Sequence, residues 1–195
     1  MTSGDLGDLV VLTLRRPEAA LQVLRRLALP MSARWTLLLL AVTLSTLLAC
    51  LSLMLFPVEF DNALSRLLSH PLTLAGVQFG AMVVSALMMA QVGRWFGGQG
   101  DFADALLVVA WVELLLVGLQ AVQLVMTLLF PATAALLSIL AFGLFLYLAV
   151  TMTKALHGFT STAKVVVGLV GSLFVLGFVL SLFAAAFGIV PEVTP

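Results

Sequence analysis

The sequence predicts an all-α integral membrane protein, a five-span transmembrane helix bundle preceded by a short amphipathic interfacial helix. Three observations carry that reading. Of 195 residues, 63% are hydrophobic and only 9% are charged, whereas a soluble domain is about a quarter charged. Too little polar surface exists to cover a water-facing globule, so the excess must face lipid. Apolar runs long enough to cross roughly 30 Å of hydrocarbon recur along the chain. The basic residues gather in alternate loops between those runs.

Residues 1–34 form an N-terminal segment. Its longest apolar run before the first span is Leu9–Leu12, too short for the core of a cleavable signal peptide. The first span is therefore expected to serve as the insertion signal. Within the segment, RRPEAALQVLRRLALP is bounded by Pro17 and Pro30, which suit the opening and the end of a helix. Leu21, Leu24, Leu27 and Ala28 make an apolar stripe, with Glu18, Gln22, Arg25 and Arg26 opposite. Such a helix either lies in the interface with Arg25 and Arg26 on anionic headgroups, or packs under the bundle with a solvated basic face.

The membrane domain, 35–187, holds spans at 35–56, 71–92, 105–130, 132–153 and 165–187. The third and fourth are divided by Pro131, which favours a tight hairpin, since one helix of that length would be about twice what a bilayer needs. Between spans one and two, Leu64, Leu67 and Leu68 lie at helical spacing behind Asp61. That segment is either a short surface helix or a plain connector. With the N-terminus in the cytoplasm, the inner side holds Arg15, Arg16, Arg25, Arg26, Arg34, Arg94, Lys154 and Lys164, and the outer side only Arg66. This places the chain in the cytoplasmic (inner) membrane with a short external tail, 188–195. Trp35 and Trp95 fall at the inner boundary, as in an aromatic belt.

The loop GRWFGGQGDFADA is glycine-rich but lacks the lysine of a P-loop, and GGQG is not a dinucleotide fingerprint. Gly97, Gly98 and Gly100 permit positive-φ turns. Asp101 suits the cap of the third span, and Asp104 its first turn. Arg94 can meet either aspartate or a lipid phosphate. The alternative is a docking or gating loop. In KALHGFTSTAK, Lys154 and His157 suit a helix C-terminus and Gly158 the left-handed residue after it. A histidine with no neighbouring ligand argues against a metal site. These loop residues, Arg94, Asp101, Asp104, Lys154 and His157, are the candidate inner-surface contacts.

Glu113 lies about 8 residues into span three, roughly 12 Å deep at 1.5 Å per residue. Gln120 and Thr127 follow at seven-residue intervals with Gln123 nearby, and span two adds Gln78 and Ser85. This polar stripe either ties helices together or lines a solute or proton path. No basic side chain lies in any span to offset a charge, so a neutral, hydrogen-bonded Glu113 is expected. Gly76 and Gly80, and Gly177, Ser181, Ala184 and Gly188, read as packing faces. Cys50 is single, so no internal disulfide forms.

RRPEAALQVLRRLALP, GRWFGGQGDFADALLVVAW and ALHGFTSTAKVV, with five spans in this order, resemble the Yip family (Ypt/Rab-interacting proteins) in its short bacterial branch. The resemblance covers nearly the whole chain. It implies a multi-pass helical domain, and eukaryotic members act in vesicle traffic by contacting small GTPases and one another. This chain lacks their long hydrophilic N-terminal region, and WVELLLVG stands where a proline is often found early in span three. Both departures argue against small-GTPase binding.

The function expected is a non-enzymatic membrane-organising or partner-binding scaffold, the alternative a small-solute, ion or proton permease using the Glu113 stripe. No HExxH, GxSxG or carboxylate cluster points to an enzyme, and no cofactor is expected. Zero net charge argues against nucleic acid. Expected partners are the bilayer, anionic headgroups, and other membrane proteins or further copies of the chain.

Overall fold

The computed structural model describes residues 3–57 and 70–186. Asp61, Leu64, Arg66, Leu67, Leu68 and the tail 188–195 lie outside the described residues, as do the side chains of Ser181 and Ala184.

Among the described residues seven α-helices follow in order: α1 Ser3–Arg15, α2 Pro17–Arg26, α3 Met31–Leu55, α4 Pro71–Trp95, α5 Phe102–Leu129, α6 Ala134–His157 and α7 Thr162–Ala186. A 3₁₀ turn, Pro131–Thr133, joins α5 to α6, so Pro131 sits in the hairpin between them, where its missing N–H costs no helical bond. Among the described residues, α3, α4, α5 and α6 with its preceding turn are long and apolar enough to cross a membrane. α7 has 25 residues.

α5 is the central helix. It packs on α3, α4 and α6 and touches α2. Ala105, Leu106, Val108 and Ala110 are fully buried along it, and the small alanines let neighbouring backbones approach. Leu38 and Ala41 of α3, Ala86 and Ala90 of α4, and Leu148 and Met152 of α6 complete the core. These residues all lie in the half of the bundle near its basic end. The other half exposes large apolar side chains such as Leu72, Leu129, Ile139 and Phe174, which suits a hydrocarbon solvent.

The structure adds to one sequence expectation and corrects another. The helix read from the N-terminal segment opens at Pro17, and the structure adds α1, Ser3–Arg15, ahead of it. Its glycines and short apolar run conceal it, and tertiary contacts supply what propensity does not. Leu9 and Thr13 are buried, Trp111 Nε1 donates to Thr13 Oγ1 at 3.0 Å, and Tyr147 O–H donates to the Leu14 carbonyl at 3.4 Å. Among the described residues Gly76 and Gly80 mark no packing face, because a Cβ at either would meet nothing within 4 Å, and the same holds at Gly177. α2 takes the packed arrangement. Ala20, Leu21 and Leu24 are buried against the bundle, chiefly on α6, while Leu27 and Ala28 are exposed. Trp35 packs in tilted contacts with Phe79 and Phe102, whereas Trp95 is 81% exposed.

Candidate functional site

Both loops at the basic end close their preceding helices with the same hydrogen-bond pattern. Gly97, at φ +85, donates to the Arg94 carbonyl, and Gly98 donates to the Gly93 carbonyl. Gly158, at φ +67, donates to the Ala155 carbonyl, and Phe159 to the Lys154 carbonyl. This is the Schellman termination, in which a left-handed residue returns two N–H groups to the last turn. α5 then begins with Asp101 as N-cap, its carboxylate accepting from the Asp104 N–H at 2.7 Å.

The two loops interlock through His157, 3% exposed. The Gly100 N–H donates to His157 Nδ1 at 3.1 Å, so Nδ1 is the unprotonated nitrogen and Nε2 carries the hydrogen. Nε2 then donates to the Met89 carbonyl at 2.9 Å. Phe159 stacks on the ring at 5.4 Å between centroids. A Cβ on Gly93, Gly98 or Gly100 would fall within 3 Å of the His157 side chain. The glycines of this loop therefore do more than turn the chain. Only Gly97 needs positive φ, while Gly93, Gly98 and Gly100 are small because an imidazole lies against them.

A second knot sits beside the first. Asp104 accepts from Arg25 Nε at 2.7 Å and from Arg34 Nη1 at 2.8 Å, its two oxygens taking one guanidinium each. Arg25 also donates to the Leu156 carbonyl at 3.3 Å, and Arg34 to the Leu29 carbonyl at 3.0 Å. One carboxylate thus joins α2, α3 and α5, and Arg25 carries the link on to α6. Arg25 is consequently engaged by Asp104 and the Leu156 carbonyl although its side chain stays 39% exposed, and Arg26 beside it is exposed as well. Arg94 meets neither aspartate. It donates to Gln91 and to the Ala90 carbonyl on its own helix. Lys154 lines a groove between α2, α6 and the start of α7.

The polar stripe divides into separate groups. Gln78 Nε2 donates to Glu113 Oε1 at 2.9 Å and to Ser45 Oγ at 2.8 Å, and Gln78 Oε1 accepts from Thr46 at 3.4 Å. This group joins α3, α4 and α5. Ser45 and Thr46 were missed in the sequence because hydroxyls bonded to their own helix are common in membrane spans. Farther along, Gln123 donates to Ser138 at 2.8 Å, and Thr127 bonds the Gln123 carbonyl. Gln120 is half-buried and belongs to neither group; Ser85 is exposed and bonds its own helix. No group of three His, Cys, Asp or Glu side chains suited to a metal occurs among the described residues.

Long apolar helices around an apolar, small-residue core, with the ion pairs among the described residues gathered at one interlocked end, define a polytopic α-helical membrane protein. The family model for the Yip1 domain matches residues 11–183, and the chain belongs to the Yip family. Neither the curated proteins nor the solved structures provide a match.

His157 predicts a pH response. Lying beyond the apolar part of α6, its imidazole is held below the ordinary histidine range by burial; the Met89 carbonyl opposes this, and Arg25 and Arg94 reinforce it. The native state prefers the neutral ring, so the unfolded chain binds the proton more readily. Stability is then complete above the ordinary value of about 6.5 and falls as pH drops below it. Thermal melts in detergent should shift downward on acidification through that window, and His157→Ala should flatten the shift.

Proposed function

We propose that this protein is a non-enzymatic membrane-organising or partner-binding scaffold of the Yip type, with its basic end in the cytoplasm, α7 as a fifth span and the tail outside. The observation that supports this best is the use of Glu113. Its carboxylate accepts from Gln78, which also holds Ser45 and Thr46, so the mid-membrane polar groups act as ties between three helices. A scaffold needs such ties; a path needs polar atoms left for solute.

The second reading, a proton, ion or small-solute permease, keeps one observation in its favour, a carboxyl deep in an apolar helix. Flux through protein reconstituted in liposomes separates the two. The scaffold role expects none above protein-free vesicles, while flux abolished by Glu113→Ala would establish transport. Stability gives an independent outcome. Glu113→Gln retains a carbonyl acceptor for Gln78 and should melt close to the parent, whereas Glu113→Leu should lose roughly 1 kcal/mol. For topology, cysteines placed near Gln99 in a Cys50→Ser background should resist impermeant reagents in intact cells; ready labelling would reverse the orientation.

A further inference from the structure

With Arg25 committed to Asp104, the cations left at this end gather elsewhere. A groove of about 460 Å³ opens between the α1–α2 junction, α6 and the first residue of α7. Arg15, Arg16 and Lys154 line it, with the hydroxyls of Thr151 and Thr162. Glu18 is the one carboxylate in the lining, and among the described residues no ion pair joins it or any other acid to these three cations. Three positive groups from two distant parts of the chain thus share a groove with a single carboxylate that pairs with none of them, and the excess positive charge favours the entry of an anion.

The surroundings say what kind of anion. Residues four apart share a helix face. From Arg15 the same face of α1 leads to Val11, 48% exposed; from Thr151 the face of α6 leads to Tyr147, 41% exposed; from Thr162 the face of α7 leads to Val166, 42% exposed. On α6 and α7 these steps run away from the basic end into the apolar part of the helix, and the Tyr147–Leu14 hydrogen bond sets α1 at the same level. A cationic cup therefore gives onto exposed apolar side chains on all three helices. That combination fits an amphiphile, a phosphate head with acyl chains, and not a free phosphate ion.

We propose that this groove binds the headgroup phosphate of an anionic phospholipid, with Arg15, Arg16 and Lys154 as the phosphate contacts. The proposal rests only on the chain being a membrane protein and does not require the scaffold role. Loss of lipid binding would overturn it while leaving that role standing, and flux through Glu113 would do the reverse.

The test is retention of phosphatidylglycerol by the full-length protein in mixed phosphatidylcholine nanodiscs, read by native mass spectrometry, alongside thermal shift in detergent. Phosphatidylglycerol should be retained preferentially and raise the melting temperature, and each cation removed should weaken it about fivefold. Arg16→Gln with Lys154→Gln should abolish the preference, while Arg16→Lys with Lys154→Arg should restore most of it and guard against a folding defect. Lys164→Gln, a nearby exposed cation outside the groove, should leave it unchanged. Equal loss with Lys164→Gln would reduce the effect to general surface charge and overturn the site. Displacement by inorganic phosphate as effective as by the lipid would assign the groove to a free anion and equally overturn the proposal.

Discussion

Gly93→Ala is expected to destabilise the protein by roughly 3 kcal/mol, although alanine is the better helix former. Gly93 lies within α4, and its added Cβ would overlap His157 Nε2 and Cε1. The ring cannot easily yield. It is fixed by Gly100 on one nitrogen, by Met89 on the other and by Phe159 on its face. Moving it forfeits two hydrogen bonds worth about 1 kcal/mol each, in addition to the strain of overpacking. Gly76→Ala in the same helix meets nothing within 4 Å and should be neutral or slightly stabilising, which isolates the steric cause. In a double-mutant cycle measured by denaturant or thermal unfolding in detergent, His157→Ala removes the obstacle. Gly93→Ala should then cost little in that background. Strict additivity of the two substitutions would show that the imidazole is not what keeps Gly93 small.

Asp104→Asn should cost about 2 kcal/mol and release α2 before the bundle melts. The magnitude follows from exposure. The side chains of Asp104 and Arg34 are 19% and 12% exposed, against 39% for Arg25. The pair with Arg34 is therefore screened less, and the effect falls between an exposed ion pair at under about 1 kcal/mol and a buried one broken at about 3–5 kcal/mol. Arg34→Gln should accordingly be more damaging than Arg25→Gln. The local signature is amide hydrogen exchange. Residues 17–26 should lose protection in Asp104→Asn while the interior of α5 keeps it, because α2 is held by this knot and by the short stripe Ala20, Leu21 and Leu24. Equal effects of the two arginine substitutions, or unchanged exchange in α2, would contradict the clamp.

The helices and their ends were legible in the sequence because their causes are local. Apolar runs mark long helices, Pro131 cannot continue one, Asp101 accepts from the N–H three residues on, and Gly158 takes the left-handed conformation that ends α6. The same local rules assembled the residues that resemble the Yip family, which the match over 11–183 establishes. Glu113 also stood out alone, since a carboxyl inside an apolar run needs company wherever the chain folds.

Which residues provide that company was decided by the tertiary structure. Arg25 and Asp104 are 79 residues apart, Gly100 and His157 57, Gln78 and Glu113 35. The physical reason lies in the solvent. In water a helix reveals its inner face because only that face is apolar. In a bilayer the lipid-facing side is apolar as well, so periodicity does not say which helices are neighbours or which way they turn. The glycine loop therefore read as positive-φ turns rather than a cradle for His157, Arg25 as a headgroup contact or part of a solvated face rather than a clamp, and Gly76 as a packing face where no described residue meets it. α1 stayed hidden for the same reason. Its place depends on Trp111 and Tyr147, residues that nothing in its own sequence points to.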